Sequence, residues 1–182
     1  MTYTRSTIGI GALALALGLA CAAPASAHIT FETPSAVVGG SYKAVLRVPH
    51  GCKGSDTTRI RVRMPDGAVA AKPQPKPGWT LDLVQGDYAK PETLHGATIT
   101  SGVREISWSG RLPDAYYDEF VFRVSLASSL KAGDTLYFPV VQECAQGVER
   151  WIDTSGKDGA DGPAPGIELL APAKADAHGH SH

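Results

Sequence analysis

The sequence predicts an all-β chain, an antiparallel β-sandwich of the immunoglobulin-like kind. Three observations carry this. The chain breaks into short runs in which apolar and polar residues alternate. Turns rich in Gly and Pro separate these runs, and no segment keeps a helical period for long. Two cysteines, Cys52 and Cys144, stand where a bridge would tie an early strand end to a late one.

Residues 1–27 read as a secretory signal. Arg5 supplies the positive start, Ile8 to Ala20 the apolar stretch, and Ala25-Ser26-Ala27 an A-x-A cleavage site. The apolar run is too short for a spanning helix, and nothing later is long or apolar enough to span. Cys21 admits a second reading as a lipoprotein cysteine, but Gly18 occupies the place where leucine is expected. A cut after Ala27 makes His28 the first residue of the mature chain. The remainder has the length of one domain with its own core plus a tail.

The elements follow in order. Tyr42 to Val48 alternates and stops at Pro49. Arg59 to Met64 sets Arg59, Arg61 and Arg63 on one side and Ile60, Val62 and Met64 on the other, the period of a half-buried strand. Pro65-Asp66-Gly67 then turns the chain. Lys72 to Gly78 is proline-rich and reads as an extended surface connection. Trp79 to Leu83 resumes the alternation, and residues 86–96 read as a loop. Ala97–Thr100 and Val103–Trp108 read as a hairpin that turns at Ser101-Gly102.

Beyond a loop over 110–118, Phe120, Phe122, Val124 and Leu126 form the strongest apolar face. Ala127 to Ala132 reads as a short helical turn. Leu136, Phe138 and Val140 begin a strand that ends near Cys144, and Gln146-Gly147 turns into Val148–Asp153. Ser155 to Gly166, rich in Gly, Asp and Pro, reads as a loop before a last strand, Ile167 to Leu170. The tail, 171–182, is small and polar and reads as disordered.

Charge excludes more than it names. The formal net charge is −1, so no basic field exists to hold nucleic acid or an anionic membrane. In an oxidising compartment Cys52 and Cys144 are expected to form a disulfide. No nucleophile elbow, zinc-protease helix motif or phosphate-cradling glycine loop is present, and the chain is not expected to be an enzyme.

His28 carries the chemistry. After cleavage, its α-amine and imidazole sit on one residue and close a six-membered ring on a metal. Two nitrogen donors at a fixed angle favour Cu(II), which prefers tetragonal N/O sites. His50 and His95 lie in loop-like surroundings, Pro49-His50-Gly51 and Leu94-His95-Gly96. If either approached His28, the site would resemble the copper centres of enzymes that cleave polysaccharides oxidatively. His178, His180 and His182 alternate with Gly179 and Ser181 and read as a weak metal-scavenging tract.

From His28 to about Leu170 the chain resembles the YcnI-like family of exported bacterial copper-binding domains. The resemblance rests on His28-Ile29-Thr30-Phe31-Glu32, Lys76-Pro77-Gly78-Trp79, Ile106-Ser107-Trp108-Ser109-Gly110, Asp118-Glu119-Phe120 and Glu149-Arg150-Trp151. It implies one Cu(II) per chain in a single-histidine brace. By position, His28 gives amine and imidazole, Glu119 matches the carboxylate ligand, and Trp151 matches a tryptophan beside the metal. Other readings stand next to these. Glu119 shares a strand face with Arg123 and could pair with it, Trp151 could be core, and Trp79 and Trp108 are expected to be core. Glu32 could orient His28 from outside the ligand set.

The expected function is copper trafficking in the periplasm or outside the cell, with other envelope copper-handling proteins as partners. A sandwich module that binds a protein or glycan is the rival, and a copper monooxygenase a further one.

Overall fold

The computed structural model describes residues 28–173. The segment read as a secretory signal, with Cys21, and the histidines of the tail lie outside the described residues. Among the described residues there are twelve strands and no helix: β1 (Thr30–Phe31), β2 (Ser35–Val37), β3 (Ser41–Val48), β4 (Thr57–Arg63), β5 (Ala68–Pro73), β6 (Thr80–Leu94), β7 (Ala97–Leu112), β8 (Asp118–Leu126), β9 (Thr135–Tyr137), β10 (Val140–Cys144), β11 (Val148–Trp151) and β12 (Gly166–Leu170). One sheet has the order β1-β3-β8-β5 and a second β11-β10-β4-β7-β6, while β2-β12-β9 forms a small third. The chain is a β-sandwich whose pairings are antiparallel except that β12 runs parallel to β2.

The core sits between the two larger sheets because each gives it one face of an alternating strand. From the first sheet come Ala44, Leu46, Val48, Phe120, Phe122 and Val124; from the second, Ile60, Val62, Ile106 and Trp108. The Trp108 ring tilts against Phe120 at 5.5 Å and Phe122 at 6.4 Å, joining the sheets. Phe31 meets Phe138 nearly edge-on at 5.2 Å, which docks β1. Trp108 is therefore core, as expected, and Trp79 packs on the core's margin against Phe120.

The expected disulfide is present, with Cα atoms of Cys52 and Cys144 6.0 Å apart. Four local expectations fail. The stretch 86–96 is not a loop: β6 continues to Leu94, and the hairpin turns at His95-Gly96, where both residues have positive φ (49° and 80°), the backbone of a two-residue type I′ turn. Ser101-Gly102 lies inside β7, where the Tyr88 hydroxyl occupies the space a side chain at Gly102 would need. Residues 127–132 form a turn closed by Leu130 N–H on the Ala127 carbonyl, with no helix. The strand read through Leu136 and Val140 is two strands in different sheets. The chain changes sheets at Phe138-Pro139, and a proline has no N–H to extend a ladder. The proline-rich stretch is partly strand, since Lys72 and Pro73 pair with Arg123 and Phe122 on β8.

Candidate functional site

Around the edge strand β1, Ile29 and Phe31 are buried whereas His28, Thr30 and Glu32 are exposed. A hydrogen bond from the Tyr42 hydroxyl to the Thr33 carbonyl, 2.7 Å, holds the bend that follows. Thr30 pairs with Arg47 on β3, and Arg47 pairs with Glu119 on β8. Paired residues point to the same side of a sheet, so Thr30, Arg47 and Glu119 form a row across the outer face. At a strand spacing of about 4.8 Å, Glu119 stands two strands, or roughly 10 Å between backbones, from Thr30.

The His28 ring meets the Trp151 ring at 5.4 Å with an interplanar angle of 82°, an edge-to-face contact. Trp151 closes β11 opposite Val140 and is 8% exposed. Its indole N–H donates to Gln142 Oε1 at 3.3 Å. The Nε2 amide group of Gln142 donates to the His50 carbonyl at 2.7 Å and to Thr57 Oγ1 at 2.8 Å.

Glu119 accepts a short hydrogen bond from the Tyr117 hydroxyl, and the alternative reading in which it pairs with Arg123 does not hold. Four residues along a strand span about 13 Å, beyond the reach of such a pair, and Arg123 donates instead to Ser41 Oγ at 2.6 Å. A carboxylate has about four lone-pair sites, so one hydrogen bond leaves Glu119 able to ligate a cation. The Tyr117 hydroxyl is pushed up to about 12 by its partial burial, then by the hydrogen bond to Glu119 and that residue's charge. Arg47 opposes the shift and Glu32 adds to it, which places Glu119, Arg47 and Glu32 in one electrostatic neighbourhood. Arg47 is itself fixed by a 3.2 Å bond to the Phe31 carbonyl.

An open groove of about 420 Å³ runs beside this row, lined at one side by His28, Thr30, Glu32 and Arg47 and at the other by Pro163–Gly166. The structure thus brings His28 and Trp151 together; Glu119 stands two strands from Thr30 in the row through Arg47 and does not line the groove that His28 and Glu32 line. His50 turns back on its own loop, with Nδ1 2.6 Å from the Gly51 carbonyl, and reaches Trp151 only through Gln142. His95 occupies the tip of the β6–β7 hairpin. Among the described residues no group of three or more His, Cys, Asp or Glu side chains is gathered as a ready metal cage. Sequence reasoning missed Tyr117, Arg47 and Gln142. Their roles follow from cross-strand register, which a linear pattern does not display.

Comparison with known proteins decides the family. Residues 28–169 match the family described as "Domain of unknown function (DUF1775)". The chain belongs to it. YcnI-like copper-binding proteins carry this domain, so the resemblance read from the motifs stands. The DUF1775 chain is also similar in fold to an uncharacterised protein from Nocardia farcinica whose crystal structure shows an immunoglobulin-like fold. That likeness has a TM-score of 0.56 and 23% identity, covering 79% of this chain and 98% of the other. It extends to the fold alone and confirms the immunoglobulin-like class. No curated protein matches the DUF1775 chain. No helix among the described residues is long and apolar enough to cross a membrane, and the disulfide suits an oxidising compartment.

Proposed function

We propose that this DUF1775 domain is an exported copper-binding protein that holds one Cu(II) through His28 and Glu119 and passes copper to or from other envelope proteins. The observation that carries this reading is the exposed His28, packed edge-on against Trp151 at the first residue of the family match. Cleavage after Ala27 turns the His28 backbone nitrogen into an amine. That amine and Nδ1 then chelate the ion, and the Glu119 carboxylate offsets part of its charge. Trp151 walls one side and its indole offers a cation–π contact to Cu(I). Few protein ligands beside an open groove suit cargo that must leave again, and the chain is read as a carrier in the periplasm or outside the cell, not as an enzyme.

Mass spectrometry of the exported protein should begin at His28 and show one copper, lost when the amine is acetylated. His28→Ala should weaken Cu(II) binding by 100-fold or more in chelator competition, about 3 kcal/mol, without loss of folding. Unchanged affinity in His28→Ala or Glu119→Ala would overturn the brace. Exposed Tyr116 and Tyr117, 64% and 52% accessible, favour the rival in which this face docks a protein or glycan. Oxidised products from a glycan supplied with copper and a reductant would point instead to a monooxygenase.

A further inference from the structure

Gln142 is 1% exposed in a largely apolar core. A buried amide is tolerated there only when its polar atoms are bonded. Each of its atoms has a partner, and two of those partners work one way. The indole N–H of Trp151 only donates, and the His50 carbonyl only accepts. Oε1 must therefore face Trp151 and Nε2 must face His50, and the amide cannot flip without breaking both bonds. The frame that holds Gln142 is covalent: Cys144 lies two residues beyond it on β10, and Cys52 lies two residues beyond His50.

Trp151, by contrast, ends a four-residue edge strand with a single sheet neighbour. The ring is 8% exposed and packs into the core cluster, and its indole N–H, which needs an acceptor when buried, finds it on Gln142; that bond selects which way the ring edge points. The plane of the ring is the wall on which the His28 imidazole rests at 82°.

We propose that Gln142 is the positioning residue of the His28 centre: it sets the Trp151 ring plane from the disulfide-tied frame, and through that ring the imidazole angle and the balance between Cu(II) and Cu(I). The copper consequence rests on the function proposed above, whereas the link from Gln142 to Trp151 does not.

The test uses the processed chain labelled with 5-fluorotryptophan, with Trp151→Phe assigning the Trp151 fluorine signal. In metal-free Gln142→Met, a substitution of similar volume, the Trp151 signal should shift or split while those of Trp79 and Trp108 hold. With copper, the same variant should show an altered Cu(II) paramagnetic resonance spectrum and a ratio of Cu(I) to Cu(II) affinity changed by about tenfold. Gln142→Glu keeps an acceptor for the indole and should restore much of the Trp151 signal. A Trp151 signal unmoved in Gln142→Met would overturn the proposal, as would a moved signal with an unchanged copper spectrum and affinity ratio. If Cu(II) fails to broaden the Trp151 signal of the unaltered chain, the copper reading fails by itself. Should Gln142→Met not fold, glutamine-labelled unaltered chain decides: the Gln142 amide signal should shift on adding Cu(I), and not in His28→Ala. No shift would overturn the proposal.

Discussion

At one end of the five-stranded sheet a covalent bond joins Cys52 to Cys144. At the other, β6 and β7 run on past the last β4 pair, Arg63 with Glu105, as a two-stranded arm ending at His95-Gly96. Side-chain hydrogen bonds hold the arm down. The Tyr88 hydroxyl accepts from Ala70 N–H at 3.0 Å, Ser129 donates to the buried Glu92 at 3.1 Å, and Arg104 reaches Asp66 at 2.8 Å. Gln142 stands two residues from the bonded Cys144, whereas Trp151, opposite Val140, and the His28 ring against it lie toward the end where the arm begins; the tip of the arm carries only a turn. A histidine thus serves two purposes in one molecule. His28 is a side chain presented against an aromatic wall, whereas His95 takes a left-handed backbone position at the head of a turn.

The contrast can be broken from either end. Replacing Cys52 and Cys144 by serine should cost about 4 kcal/mol in urea unfolding, since the bridge closes a long loop. The Trp151 signal should broaden with it, because the frame around Gln142 loosens. Tyr88→Phe should cost about 1 kcal/mol by leaving Ala70 N–H without its partner, with copper affinity unchanged. His95→Gly should leave the hairpin intact and shift the melting temperature by no more than a few degrees, because glycine suits positive φ.

The smallest effect concerns acid. The Asp114 backbone N–H and then Arg111 hold the Asp56 carboxyl below the usual carboxylate range. A depressed carboxylate contributes stability above the unfolded pKa and loses it as pH falls through the folded one. Melting temperature between pH 7 and pH 2 should therefore fall less steeply in Asp56→Asn, the difference appearing only below about pH 4.

Much of this fold was legible because single strands declare themselves. Arg59–Met64 and Phe120–Leu126 alternate as read, and both lie where one face meets the core. The hairpin was misplaced because two dipeptides, Ser101-Gly102 and His95-Gly96, both satisfy turn chemistry. The choice between them depended on Tyr88 needing the empty side of Gly102, a contact across strands. β1 and β2 are too short to show a period. For the site, chemistry singled out His28, while Glu119 and Trp151 came from the family resemblance. Tyr117, Arg47 and Gln142 act through neighbours that only pairing supplies.

The parallel pairing of β2 with β12 has a consequence for the order of folding. It joins segments from opposite ends of the domain, and Pro163–Gly166, just ahead of β12, share a groove with His28. Contacts separated by so much chain form slowly, because the intervening loop must close first. β3, β4, β7 and β8 all precede residues 163–170 in the chain and can meet without them. The face that presents His28 is then assembled last, and a chain halted before Pro163 would hold most of its core and no groove.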